Sequence, residues 1–285
     1  MEAMFNRRQF VRLSFASLGA LAGSKLVLSS VRRPLGIQLY SVREQVEHDL
    51  PGVLAALHQI GYKEVELYWN IYEHPAAELR RMLEDYDLRA PSGHFNYEGL
   101  ADKLDYAQAL GLQYVICPML PKDLWNTLDG FKRAADQFNR WGEQVHRRGM
   151  NFGFHNHNYE FHRFGDITGF DTLLEHTDPK LVALEMDCYW ITQAGEDPLQ
   201  MLTKHGGRIA MLHLKDRKAG FPFSQSLDQS AEHFTEVGSG TIGWRAILIA
   251  AEKHHVRHLF VEQDSGDRPP LDSARISYQN LQSLL

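Results

Sequence analysis

Four short stretches of the chain end in side chains that can bind a cation or move a proton. They are 151–157 with His155 and His157, 181–187 with Glu185 and Asp187, 208–215 with His213 and Lys215, and 258–263 with Glu262, followed by Asp264. Extended backbone alternates its side chains between two faces. Asn151, Gly153, His155 and His157 therefore share one face, as do Leu181, Ala183, Glu185 and Asp187. The next two faces are Met211, His213 and Lys215, then Phe260, Glu262 and Asp264. Each begins with small, apolar or uncharged residues and ends in ionisable groups. An isolated buried charge costs several kcal/mol, so such groups need partners. One of them alone reads as a satisfied rim residue, whereas four converging sets of imidazole and carboxylate are most simply satisfied by a divalent metal. A metal beside a carboxylate or imidazole base suits proton abstraction next to a carbonyl.

These side chains converge only if the chain closes its strands into a ring. From Pro34 onward, apolar runs of strand length alternate with helical stretches. Strands are expected at 35–40, 63–67, 88–93, 113–117, 151–157, 181–187, 208–215 and 258–263. Between them lie helical patterns such as 49–60, where Val53, Leu54, Leu57 and Ile60 fall on one side. Gly61, Gly111 and Gly149 each stand just before a strand, where a helix ends in a left-handed residue. Eight strand–helix repeats with short links predict a single (β/α)8 TIM barrel over 34–285 in place of a doubly wound sheet. Active sites in that architecture lie at the carboxyl ends of the strands. The longest stretch without periodicity, 217–238, is expected to lie over that face.

The chain has 285 residues, a formal charge of −6 and 44% hydrophobic residues, a composition suited to a large buried core. Residues 1–33 carry six basic side chains and one acid, which leaves −11 for the rest. A body that acidic repels phosphate backbones and argues against nucleic acid as a partner. Two cysteines, Cys117 and Cys188, are too few for a disulfide framework. The run Asn6-Arg7-Arg8-Gln9-Phe10-Val11-Arg12 resembles the bacterial twin-arginine export motif, and the weakly apolar stretch 13–28 next to it is too short for a secure span. Residues 1–33 are therefore expected to be a twin-arginine signal peptide, and the protein periplasmic without stable membrane insertion after processing. A homo-oligomer is compatible with all of this.

Several further segments complete a family pattern: Gly36-Ile37-Gln38-Leu39-Tyr40-Ser41, His155-Asn156-His157 with Glu160-Phe161, and Asp187-Cys188-Tyr189-Trp190. It continues through His213-Leu214-Lys215-Asp216, Val237-Gly238-Ser239-Gly240 and Val261-Glu262-Gln263-Asp264. In this order and spacing the chain resembles the xylose isomerase-like barrels of the sugar phosphate isomerase/epimerase family, in its exported, twin-arginine subgroup. That family also includes ketose 3-epimerases, inosose dehydratases and hydroxypyruvate isomerases. The resemblance implies one divalent ion, manganese first, with magnesium, cobalt or zinc as alternatives, held by Glu, Asp, His and Glu. Asp187, His213 and Glu262 match the last three. The first position falls on His155, where many relatives have Glu, with Glu160 as the alternative ligand. Glu262 is then both ligand and base, and His155 or Glu160 is the other candidate for proton transfer.

Position along the strands adds substrate contacts. Lys215 can set a cation over a hydroxyl, or pair with Asp216 at the rim. Tyr189 and Trp190 are suited to stacking on a sugar face. His94, His157, Gln38 and Glu66 are placed to bind hydroxyls. The expected activity is isomerisation or epimerisation of a small sugar through an enediolate. One alternative is β-elimination from a keto-sugar at the same site, as in a lyase or dehydratase. Another is an exported barrel that binds sugar without catalysis. A DNA-repair endonuclease of this fold would need a multi-zinc cluster and a basic face. No glycine-rich phosphate cradle is present, which favours an unphosphorylated sugar.

Overall fold

A computed structural model describes residues 33–227 and 233–285. The signal peptide expected over 1–33 lies, except for Arg33, outside the described residues. Eight parallel strands close into a barrel. They are β1 (Gly36–Gln38), β2 (Glu64–Leu67), β3 (Arg89–His94), β4 (Tyr114–Cys117), β5 (Asn151–His155), β6 (Val182–Asp187), β7 (Ile209–Leu214) and β8 (His258–Val261). Every one falls on its expected stretch. The strands pair in sequence order and the ring closes between β1 and β8, where Gly36 aligns with Phe260 and Ile37 with Val261. A Cβ at position 36 would lie 2.4 Å from the Phe260 ring. Glycine there lets that ring fill the barrel interior.

The helices in chain order are α1 (Arg43–Ile60), α2 (Ala76–Asp85), α3 (Leu104–Leu110), α4 (Leu128–His146), α5 (Gly169–His176), α6 (Cys188–Gln193), α7 (Pro198–His205), α8 (Trp244–Lys253) and α9 (Pro270–Gln282). In α4 the buried residues Phe131, Ala134, Ala135, Phe138, Trp141 and Val145 recur every three or four positions, so one stripe faces the sheet. Thr127 caps its start by accepting from Gly130 N, and Phe138 meets Phe152 and Phe154 of β5 at ring distances of 5.3 and 5.0 Å. The helix expected over 49–60 is the second limb of α1. The backbone leaves helical geometry at Asp49, whose Oδ1 accepts from Gly52 N as a new cap forms before Pro51.

Outward strand residues such as Val65, Val115, Phe152, Leu184 and Leu214 join the helices in the main core. Inside the barrel, Tyr114, Ile116, Met211 and Phe260 form a separate apolar plug. Above that plug the inward positions turn polar, with Gln38, Glu66, Ser92, His94, His155, Glu185 and His213 all buried. Parity alone therefore sends these groups inward, and height above the plug decides what each can reach.

Of the aperiodic stretch 217–238, the described residues 217–227 and 233–238 reach the strand ends, as expected there: Leu227 lines the pocket and Phe234 packs beside Lys215, in a ribbon that pairs Asp216–Arg217 with Phe234–Thr235. Asp216 anchors the segment beyond the ribbon. Its carboxylate accepts from the backbone N–H groups of Arg217, Gly238, Gly240 and Ile242 and from Trp244 Nε1. Asp216→Ala strands these donors in a buried setting, and a broken buried network costs about 3 kcal/mol or more. Urea unfolding should report a loss of that size, and a loss under about 1 kcal/mol, the scale of a single ordinary hydrogen bond, would show that the loop does not depend on this anchor.

Candidate metal and active site

Strand register brings the ends of β5 to β8 side by side. His155 aligns with Glu185, Asp187 with His213, and His213 with Phe260, two residues short of Glu262. His155, Asp187, His213 and Glu262 each offer a donor atom, and all four atoms lie within 4.8 Å of one another. All four residues are buried. Asp187 is shaped for this place by the turn into α6: its Oδ1 accepts from Trp190 N as an N-cap, and its own N–H donates to Asn156 Oδ1. Its other oxygen, Oδ2, is buried with no hydrogen-bond partner among the described residues. It stands 3.9 Å from His213 Nδ1 and 4.0 Å from Lys215 Nζ, and a buried carboxylate oxygen without a hydrogen bond, beside two imidazoles and a second carboxylate, fits a cation.

The charges around the set point the same way. Burial opposes ionisation of Glu262, but Lys215 and His213 hold its carboxyl well below the ordinary range. Its Oε2 accepts from Lys215 Nζ at 3.1 Å and lies 2.9 Å from His213 Nδ1. Burial and the neighbouring His213 keep His155 neutral, which is the form that binds metal. Burial would also lower His213, yet the surrounding Glu185, Glu262 and Glu66 pull it well up. The carboxylates here thus face the cations of Lys215 and His213, and Glu66 and Glu185 likewise pull His94 up to about 9 despite its burial.

Lys215 does not pair with Asp216, which faces the other way along the strand. Its ammonium sits 2.6 Å from Asp264 Oδ1 and 5.0 Å from the Trp190 ring centre. Despite burial, Asp264, Glu262 and Asp187 keep it firmly protonated. A pocket of about 410 Å³ reaches these groups, lined by Trp69, Met119, His157, Trp190, Lys215 and Glu262 among others. His94 and His155 also line it. That volume suits a small polar ligand.

Other expected site residues lie elsewhere. Gln38 and Glu66 point inward, but one layer too deep to line the pocket. Gln38 Nε2 donates to Glu66 Oε2, Ser92 Oγ donates to Glu66 Oε1, and Glu66 Oε2 lies 2.6 Å from His213 Nε2. They form a polar floor beneath His213. Tyr189 is fully buried behind Trp190, packed on Phe234 at 4.6 Å. Glu160 is outside the ligand set, because the 3-10 turn Tyr159–Phe161 folds its Oε2 back onto His157 N at 3.0 Å. The strand alternation had marked Glu185 and Asp264 as inward without giving them a role; Glu185 contacts His94, His155 and His213, and Asp264 holds Lys215.

Burial pushes Glu160 up to about 8, against an ordinary 4.5. A carboxyl raised on folding contributes fully below its unfolded pKa, and that contribution is lost as pH rises through the folded value. The wild type should therefore lose stability between about pH 5 and 8 relative to Glu160→Gln, which cannot ionise but keeps an oxygen for His157 N. Urea unfolding at about pH 9 should favour the variant by a few kcal/mol, as a shift of this size converts. Equal pH dependence in both proteins would mean that Glu160 ionises freely.

A family model described as a xylose isomerase-like TIM barrel matches residues 54–284. The inosose dehydratase of Geobacillus thermodenitrificans (strain NG80-2) is 31% identical over 169 residues, 55% of this chain. The match covers 53% of that relative, so the chain spans about half its length. Among solved structures, a sugar phosphate isomerase/epimerase from Parabacteroides distasonis ATCC 8503 superposes with a TM-score of 0.75 at 23% identity, covering 90% of this chain and 96% of that one. The IOLI protein with a binding zinc atom superposes at 0.69 and 14% identity, covering 88% and 97%. At these identities the likeness shows a shared fold.

Proposed function

Since the chain belongs to the xylose isomerase-like TIM barrel family, we propose that it holds a catalytic divalent cation through His155, Asp187, His213 and Glu262 and abstracts a proton next to the carbonyl of a small sugar or keto-polyol. The observation that carries this reading is Asp187 Oδ2, buried without a hydrogen bond among the described residues, in a set whose His155 and Glu262 line the pocket. A divalent ion in this set supplies Lewis acidity for charge developing on a substrate oxygen. The IOLI neighbour and its zinc support a metal here; manganese remains our expected ion.

The chain's own residues do the rest. Glu262 lines the pocket, is ionised and can accept the proton. Lys215, fixed by Glu262 and Asp264, presents a permanent cation toward substrate hydroxyls. Trp190 and Trp69 offer aromatic faces for the apolar side of a ring. Incubating the enzyme and Mn²⁺ with keto-sugars and keto-polyols in deuterated water tests the reading. A substrate hydrogen should exchange with solvent, and a true substrate converted without exchange would reject it.

A second reading, β-elimination, is favoured by a specific feature. Epimerisation needs a second group on the opposite face of the substrate to return the proton, and a carboxylate from the β5 end does not offer itself because Glu160 faces His157 N. Elimination needs Glu262 to take the α-proton, the C–H electron pair to form the double bond, and the β-hydroxyl to leave as water with a proton delivered by an acid. Glu262, once it carries the α-proton, is the acid that can hand it to the leaving hydroxyl, because Lys215 stays a cation and burial pushes His157 down to about 3 and keeps it neutral. The name of the Geobacillus relative agrees with this outcome. Exchange accompanied by loss of water marks the dehydratase, and exchange without it the isomerase or epimerase.

The paired arginines further suggest export in the folded state and an unphosphorylated substrate. Arg7→Lys combined with Arg8→Lys should retain the protein in the cytoplasm, and unchanged export in a fractionation assay would refute the leader.

A further inference from the structure

The pocket at the strand ends has two unlike halves. The ends of β5 to β8 supply His155, His157, Lys215, Glu262 and Asp264, groups that carry charge or a proton, beside Trp190. The ends of β1 to β4 supply Tyr40, Trp69, Asn96, Pro118 and Met119, with His94 as their ionisable member. His94 is already engaged, its Nε2 lying 2.7 Å from Glu185 Oε2. We infer that the substrate carries an apolar group, an aryl or alkyl substituent, on the side of the sugar away from Glu262. Tyr40, Trp69 and Met119 receive that group, given that the site takes a sugar as proposed above.

The apolar half is held in place by its own contacts. Tyr40 lies in the 3-10 turn Leu39–Val42 after β1, and Trp69 opens the turn Trp69–Glu73 after β2. Their ring centres are 5.5 Å apart, and the buried Tyr68 braces both edge-on at 5.6 and 5.7 Å. Arg43 pins the same platform: its Nη1 donates to Tyr40 O at 3.0 Å and to Asp264 O at 2.8 Å, and its guanidinium stands 4.3 Å from the Tyr40 ring centre. After β4, Met119 is 38% exposed, one of few large apolar side chains so open to water among the described residues. Cys117 Sγ donates to the Met119 carbonyl and fixes that loop.

A free sugar carries hydroxyls around its whole rim, and each one buried without a partner lowers affinity. The charged half can satisfy such hydroxyls, whereas Trp69, Pro118 and Met119 offer mainly carbon surface. Trp190 stands with the charged half, 4.9 Å from the His157 ring and 5.0 Å from Lys215 Nζ, and serves the sugar itself. The ring that Trp69 meets is then the substituent's. A flexible thioether adapts to groups of different shape, so Met119 suits a range of substituents over a single one. Withdrawing about 60 Å² of apolar surface from water is worth about tenfold in affinity.

Inert probes separate this binding from any turnover. Phenyl and methyl β-D-glucopyranoside differ only in the substituent and carry no ketone, and the matching β-D-galactopyranosides form a second pair. Each is titrated into the full-length protein with Mn²⁺ present and followed by calorimetry. In at least one pair the phenyl compound should bind about tenfold tighter than the methyl compound. Met119→Ser and Tyr40→Ser should each cut that ratio severalfold, with circular dichroism as the folding control. A wild-type ratio near one in both pairs overturns the inference, as does a ratio that neither variant lowers. Phenyl compounds that bind in neither pair overturn it too. Hydrogen exchange in keto-sugars is measured separately, so the proposed reaction stands or falls on its own result.

Discussion

Glu262→Gln is expected to leave the barrel folded and to lower turnover about 10²–10⁴-fold, the range for loss of a general base. The amide matches the carboxylate in size and keeps an oxygen for Lys215 Nζ, which in any case retains Asp264 at 2.6 Å. What disappears is the ability of the group to accept a proton in the pocket. The defect should therefore fall on kcat more than on KM, and exchange of substrate hydrogen with solvent should vanish with it. His155→Ala should behave differently. An alanine there removes a neutral imidazole from the ligand set, so metal affinity falls first and excess Mn²⁺ restores part of the activity. If Glu262→Gln exchanges hydrogen as fast as wild type while Glu160→Gln does not, the base lies at the β5 end.

Metal should stabilise the protein strongly, and Asp187 should decide whether it does. An ion bound only by the folded chain contributes about 4 kcal/mol at a thousandfold excess over its Kd. For a domain of this size each kcal/mol moves Tm by about 2–4 °C, so a rise on the order of 10 °C is expected in differential scanning fluorimetry. Asp187→Asn should abolish most of that rise. In the absence of metal the same variant should melt no lower than wild type. The amide oxygen can still cap Trp190 N, and the charge at Oδ2, which has no hydrogen bond among the described residues, is gone. Burial already pushes the Asp187 carboxyl up to about 7 even though the Lys215 cation, 4.0 Å from Oδ2, pulls it down, so ionising it in the fold is costly. This pair of opposite effects separates a ligand from a merely structural aspartate. A variant that loses stability equally with and without metal would make Asp187 a helix cap alone.

The architecture and the grouping of His155, Asp187, His213 and Glu262 were legible in the chain because they depend on local rules. Apolar runs between helical patterns located all eight strands, since strand and helix periods differ and glycines mark the joins. Alternation along β6, β7 and β8 then placed Asp187, His213 and Glu262 on the inward side. Closure of the ring alone was needed to bring them together. Parity says which side a residue faces, but height above the Tyr114–Phe260 plug decides whether it meets ligand or floor. Gln38 and Glu66 share the inward face and still lie under His213, holding it from below. The turns after the strands obey no such period. A 3-10 turn rotates Glu160 onto the backbone of His157, and the first turn of α6 sends Trp190 to the pocket while Tyr189 goes into the packing behind it. Lys215 takes Asp264, beyond the end of the adjoining strand β8, instead of its neighbour Asp216, because successive residues of extended chain face opposite ways. Periodicity along the chain thus carried strand and face, whereas depth and the partner of each buried charge came from contacts between residues far apart in sequence, and turn rotation from aperiodic bonds within the turns.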